Sequence, residues 1–334
     1  MNGVIIVDKP AGWTSHDVVN RMRRILGQRS IGHLGTLDPL ATGVLPLVTG
    51  NLTRLAQFYT SSKKSYEGVM RFGFATDTYD ADGAALGEAV SVDPTLDQLQ
   101  ALAARFRGVI QQVPPPFSAK KIQGVPAYKL ARKQQEVVLQ PVEVEIEEFE
   151  ILSVGSAQAH FHARVSSGTY MRSIAHEMGQ LLGCGAHLES LRRTAVAEFD
   201  IAQALTLEEI ERLTILRQPA STKVCHSDRS FAFPKGKGSG AEEPAVAAIG
   251  SDANGENRDV LYVHPRQLLP QFPSVTADEP TVARIHTGRS VNLPELSRAR
   301  YVKVFRGQSD LIAIATRIAG SLFHPKIVFP DETR

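Results

Sequence analysis

A chain of 334 residues, 43% hydrophobic and 22% charged, has the composition of a globular protein with a sizeable core, and its length suggests two domains. No apolar run approaches the roughly 20 residues of a membrane-spanning helix, and the short run at 4–7, closed by Asp8, Lys9 and Pro10, does not read as a secretion signal. Cys184 and Cys225 are too few and too far apart for a disulfide framework or a thiolate metal site, so a reducing compartment, the cytoplasm, is expected.

In chain order, residues 4–7 read as a buried strand. Ser15 caps a helix with Val18, Val19, Met22, Ile25 and Leu26 on one face, ended by Gly27. Residues 66–74 read as a strand, and 96–106 as a helix capped by Thr95. Val142, Val144 and Ile146 alternate with glutamates until the phase slips at Glu147 and Glu148, which predicts a bulge. Phe161, Ala163 and Val165 mark a half-buried strand, and Ile174, Ala175, Met178, Leu181 and Leu182 a helix ended near Gly183. Residues 217–258 lack hydrophobic periodicity and read as an inserted flexible linker. Beyond it, 301–305 and 311–315 flank a four-residue loop, a hairpin signal. Strands dominate without a regular βαβ repeat, so the fold class is α+β with a largely antiparallel sheet.

The net charge of +2 says little about nucleic acid, but its distribution says more. Residues 1–72 carry nine cations against four anions, and 115–140 carry Lys120, Lys121, Lys129, Arg132 and Lys133 against Glu136. Such clusters suit phosphate contact, although one cluster alone equally suits a solvated helix face.

Residues 32–45, GHLGTLDPLATGVL, place one carboxylate, Asp38, between glycines and before a proline. Gly32, Gly35 and Gly43 permit tight bending and close approach of a ligand, and Pro39 disfavours helical backbone at Asp38. The same dipeptide also suits a helix start, with Asp38 as cap and Pro39 at the first helical position.

The whole string resembles the catalytic motif of the TruB family of pseudouridine synthases. Gly3 through Ser15, Lys64-Ser65-Tyr66, Thr76 through Gly83, Pro115 through Lys121 with Tyr128 through Arg132, Gly168 through Ser173, and Gly183 through Arg193 resemble further motifs of that family, in order. The resemblance implies a catalytic domain over 1–216 with an RNA-gripping insertion at about 113–141, the linker at 217–258, and a small β-rich PUA-like domain over 259–334. It also implies isomerisation of uridine-55 in the T-arm of tRNA, in the cytoplasm, by a monomer needing no cofactor, metal, membrane or obligatory protein partner.

Asp38 resembles the family's catalytic carboxylate. By the same resemblance Arg172 pairs with it, Tyr66 packs against the target base, Tyr170 borders the base and Leu191 walls the pocket. His33 fills the space left by the flipped base, while Asp80, Lys64 and Lys121 face substrate. Each has a plainer reading: turn histidine, strand tyrosine, surface arginine, core leucine, loop-shaping aspartate. Two other functions stay open: a tRNA-folding chaperone independent of catalysis, and a guide-RNA-dependent pseudouridine synthase. Asp80-Ala81-Asp82-Gly83 lacks the end ligands of a calcium loop. His176 and Glu177 are followed by Gln180 where a zinc-protease helix needs histidine. His160 and His162 read as a solvated strand face.

Overall fold

The computed structural model describes residues 2–118, 120–122, 124–127, 130, 133, 139–216 and 261–330. The linker expected at 217–258 and much of the basic insertion therefore lie outside the described residues.

Nine strands form the main sheet: β1 (Gly3–Lys9), β2 (Ile31–His33), β3 (Thr42–Thr49), β4 (Lys64–Phe72), β5 (Gly108–Gln112), β6 (Val142–Gly155), β7 (Gln158–Val165), β8 (Ala186–Val196) and β9 (Phe199–Asp200). The path runs β1-β3-β8-β4-β7-β6-β5, with β2 beside β3 and β9 beside β8. The β3–β8 contact is parallel, pairing Arg192 with Thr42 and Arg193 with Gly43. The other pairs of this sheet are antiparallel. The phase slip at Glu147 is the expected bulge: the β6–β7 register shifts between Ile146 and Glu148.

Helices α1 (Ser15–Leu26), α2 (Leu96–Ala104), α3 (Met171–Leu182) and α4 (Leu207–Leu216) accompany this sheet. Period-2 alternation splits β1 between two cores. Ile5 and Val7 join Met22, Met70, Phe161, Ile174 and Ile210 in one cluster, while Val4 and Ile6 join a second on the other face. The α1 cap is Thr14, not Ser15: Thr14 and Asp17 exchange capping-box bonds, and Ser15 is buried, bonding Leu37 instead. Gly27 ends α1 in a left-handed conformation, as expected. Strand β4 spans Lys64–Phe72, beginning and ending two residues earlier than expected, with the left-handed Gly73 (φ +108°) just beyond its end.

The C-terminal strands β10 (Ser274–Thr276), β11 (Val291–Asn292), β12 (Tyr301–Arg306), β13 (Asp310–Ala319) and β14 (Leu322–Val328) form a second sheet, ordered β10-β12-β13-β14-β11. It carries helix α5 (Glu279–His286). The β12–β13 loop is one residue shorter than expected, because Asp310 pairs with Arg306. The second cluster joins both sheets: Val4, Ile6, Val44 and Val48 share it with Phe305, Ile314 and Phe329. Phe58 packs edge-on against Phe272 and Tyr301, with centroids 5.3 and 5.4 Å apart. Tyr59 donates to Glu198 Oε1 at 2.5 Å, and that carboxylate accepts Leu269 N–H at 2.8 Å. No described helix is long and apolar enough to cross a membrane.

Candidate active site around Asp38

Asp38 sits in an irregular turn between β2 and β3, closed by the Ala41 N–H donating to Asp38 O at 3.1 Å. No helix follows it, so the capping alternative fails. Of the three glycines, Gly35 (φ +119°) and Gly43 (φ +98°) adopt conformations that other residues avoid. Gly32 is ordinary strand in β2. At Gly43 a Cβ would also lie 2.2 Å from Arg193 O, so only glycine permits the parallel pairing with β8.

Two fully buried cations fix this turn from beneath. Lys9 Nζ donates to Pro10 O, Trp13 O and Pro39 O at 2.8, 2.7 and 3.2 Å. Arg193 donates to Val44 O, Thr36 O and Gly35 O at 2.8, 3.2 and 3.1 Å. Burial pulls the Lys9 ammonium down to about 8, with Asp38 opposing. Burial likewise lowers Arg193, against the opposing pull of Tyr66, with which it shares a side-chain hydrogen bond, and of Asp38. Neither cation was expected from the motifs. The signal was present for Lys9: alternation places Ile5, Val7 and Lys9 on one face of β1.

Arg172 joins the expected residues. It occupies the first turn of α3 and is 5% exposed. Its Nε lies 3.0 Å from Asp38 Oδ2 and its Nη1 3.2 Å from Asp80 Oδ2. It also donates to Thr78 O and Phe117 O, each at 3.1 Å. One guanidinium thus ties the Asp38 turn, the acidic turn and the root of the insertion to one helix. Asp80 is buried and takes further bonds from the Thr78 hydroxyl and the Asp82 N–H. The Asp38 side chain keeps 41% of its surface open. Desolvation raises its carboxyl above the ordinary value, Arg172 opposes this, and Asp80 adds to it.

Tyr170 precedes α3, and its backbone exchanges two bonds with the buried Gln112 side chain, at 2.8 and 3.1 Å. Tyr66 is 7% exposed and packs in the first core cluster, as its plain reading holds, while also meeting Arg193. Leu191 packs at the edge of that cluster and lines a groove of about 510 Å³ with Leu40 and Thr42, a groove that Asp38, Tyr66 and Arg172 do not line. His33 ends β2, and burial lowers its pKa, with Arg193 adding to the effect. Lys64 opens β4 and donates to Ser62 O at 2.7 Å; burial pulls its ammonium to about 8. Lys121 begins a two-residue strand paired with Val125–Pro126, and its side chain lies outside the described residues. Among the described residues no cluster of His, Cys, Asp and Glu is arranged to hold a metal ion.

The folded chain is similar to chains of two solved assemblies. It matches a chain of a Cbf5-Nop10-Gar1 complex at TM-score 0.64 and 23% identity, over 96% of this chain and 79% of that one. It matches a chain of an archaeal box H/ACA sRNP Nop10-Cbf5 complex at TM-score 0.65 and 22% identity, over 99% and 87%. These likenesses show the fold alone. In sequence, residues 23–171 match the TruB family pseudouridylate synthase N-terminal domain, and residues 172–224 match the tRNA pseudouridylate synthase B C-terminal domain. The tRNA pseudouridine synthase B of Solibacter usitatus (strain Ellin6076) is 45% identical over 98% of this chain and 100% of that protein. That of Opitutus terrae (strain DSM 11246 / JCM 15787 / PB90-1) is 47% identical over 64% of this chain and 89% of that protein. The chain belongs to the TruB family of pseudouridylate synthases.

Proposed function

We propose that the protein converts uridine-55 to pseudouridine in the T-arm of tRNA, with Asp38 as the reacting carboxylate. The observation that carries this reading is the Arg172 bridge. A carboxylate lies 3.0 Å from a buried guanidinium that opposes the rise desolvation gives its pKa, while one side stays open. Identity of 45% over the full length of a protein named for tRNA supports a stand-alone tRNA enzyme over a guide-dependent one. The reaction breaks the bond between ribose C1′ and N1 of uracil, turns the base, and joins C1′ to C5. The C5 proton is lost and N1 is protonated, so atoms and electrons balance without redox chemistry.

Here Asp38 attacks the sugar or the base, or stabilises the cationic sugar. The target base leaves its stack to reach it. His33 fills the gap left behind, Tyr66 and Tyr170 border the base, and Leu191 gives an apolar wall. Asp80 acts through Arg172, while Lys64 and Lys121 contact RNA. Residues 1–216 form the catalytic domain, 113–141 the gripping insertion, 217–258 the connection and 259–334 a PUA-like RNA-binding domain, in a protein that acts as a monomer.

The test is incubation of Asp38→Asn with unmodified tRNA, mapping pseudouridine by position. No product at position 55 with tRNA affinity close to wild type is expected, because phosphate contacts supply most of the affinity. Substantial turnover by Asp38→Asn would overturn the assignment.

A further inference from the structure

Tyr79 lies between the two residues of the acidic turn that hold Arg172. Thr78 supplies a carbonyl at 3.1 Å and Asp80 a carboxylate oxygen at 3.2 Å. The Tyr79 backbone is left-handed, with φ +66°. For a tyrosine this conformation is unfavourable, and it persists only where the surroundings enforce it. Part of the enforcement is backbone: Leu188 N–H donates to Tyr79 O, and Ala81 N–H donates to Leu188 O, both at 3.0 Å. The ring is stacked on His176, with centroids 3.7 Å apart and planes within 11°.

His176 stands one turn after Arg172 on α3, and Gln180 one turn further, so all three share a face of the helix. The Gln180 amide nitrogen is 3.0 Å from His176 Nε2. An amide nitrogen only donates, so the imidazole accepts there and is neutral. Desolvation acts in the same direction, lowering its pKa. Its Nδ1 is buried without a hydrogen-bond partner. The ring is therefore held by its stacked face and by one polar atom, Nε2. The spacing of His176, Glu177 and Gln180, which fails as a zinc motif, has a structural use here.

We propose that the Tyr79–His176 stack is a positioning device, holding the left-handed turn against Arg172 and thereby aiming Asp38. Neither ring makes a hydrogen bond or ion pair with Asp38. The inference rests on Asp38 being the reacting carboxylate.

The test measures kcat and KM on unmodified tRNA for His176→Ala, His176→Phe, Tyr79→Gly, the double variant H176A/Y79G and Asp38→Asn, with thermal melting of each. Loss of the stack is expected to lower kcat about tenfold with KM within about twofold, as for a misplaced reacting group. His176→Phe keeps a flat ring and should recover to within about threefold of wild type. Tyr79→Gly relieves the backbone but loses the ring, so it should fall as far as His176→Ala, and the double variant no further. A folded His176→Ala at the wild-type kcat, a loss carried by KM, additive losses, or failure of His176→Phe to recover would each overturn the proposal. If His176→Ala melts below assay temperature, Tyr79→Gly decides: the wild-type rate overturns the proposal, and the tenfold loss supports it. Turnover by Asp38→Asn would bring down the underlying reading and this one with it. An inert Asp38→Asn beside a fully active His176→Ala would bring down the positioning alone.

Discussion

The turn that carries Asp38 and the seam between the two sheets are held by opposite means. Beneath the turn, Lys9 and Arg193 are fully buried and each reaches three backbone carbonyls. At the seam, apolar side chains of both sheets interleave, with the Tyr59–Glu198–Leu269 joint as a polar fastening. Burying a cation is costly unless its hydrogen bonds are made. Directional bonds to named carbonyls fix a backbone in one geometry, whereas apolar packing holds two surfaces together with less directional constraint. The difference teaches that the Asp38 turn is set by buried cations on its carbonyls, while the seam rests on a shared apolar cluster pinned by a few directional bonds, such as Arg54 to Val328 O at 2.6 Å.

The sharpest way to break this contrast is Arg193→Met. Three carbonyls would lose a buried donor, and we expect a loss of about 3–5 kcal/mol, read as a fall in the urea midpoint. A change below about 1 kcal/mol would show that the turn holds itself.

Next comes Arg172→Met, whose effect should fall on chemistry. We expect kcat to drop on the order of a hundredfold, about 2.7 kcal/mol. The sign of the pH effect follows from Asp38. Its carboxyl is raised by desolvation and lowered by Arg172, and in the proposed reaction the ionised form acts. Activity is therefore lost as pH falls through a pKa already above the ordinary carboxylate value. Removing Arg172 should move that acid limb to higher pH still, as a pH–rate profile would show. An unmoved limb would break the link between the ion pair and the carboxylate's charge.

At the seam, Tyr59→Phe removes one buried hydroxyl from Glu198. A loss of about 1 kcal/mol is expected, seen in thermal melting with kcat nearly unchanged. A drop in kcat instead would mean that the seam also aims the active site. The smallest effect belongs to the exposed root of the insertion. Lys120→Gln with Lys133→Gln should weaken tRNA binding at low salt and flatten the slope of log affinity against log salt by about one for each phosphate no longer neutralised. An unchanged slope would place both lysines away from RNA.

The sequence made the regular elements and the Asp38–Arg172 pairing legible for different reasons. Local patterns exposed α1, α3 and the β6 bulge, because periodicity is imposed by a nearby core. The pairing was legible by resemblance only, since residues 38 and 172 meet through tertiary folding. Lys9 was hidden because a lysine beside aspartate and proline reads as surface, although its phase in β1 pointed inward. Arg193 was hidden in a pair of arginines that β8 splits: Arg193 is fully buried, while Arg192 bridges Asp8 at 2.7 Å, partly exposed. The Tyr79–His176 stack joins segments with no shared local pattern, so no periodicity announces it.

Strand β1 is the edge of the main sheet, and it is bridged by residues far along the chain: Val7 by Leu205 and Val4 by Val263. During synthesis this apolar strand is made well before Leu205 and Val263, the residues that bridge it. An open strand edge is a template for pairing with other chains. A nascent protein halted before Leu261 would carry most of its catalytic module and still present Val4 without its cover. Such fragments should associate through β1 more readily than the full chain does.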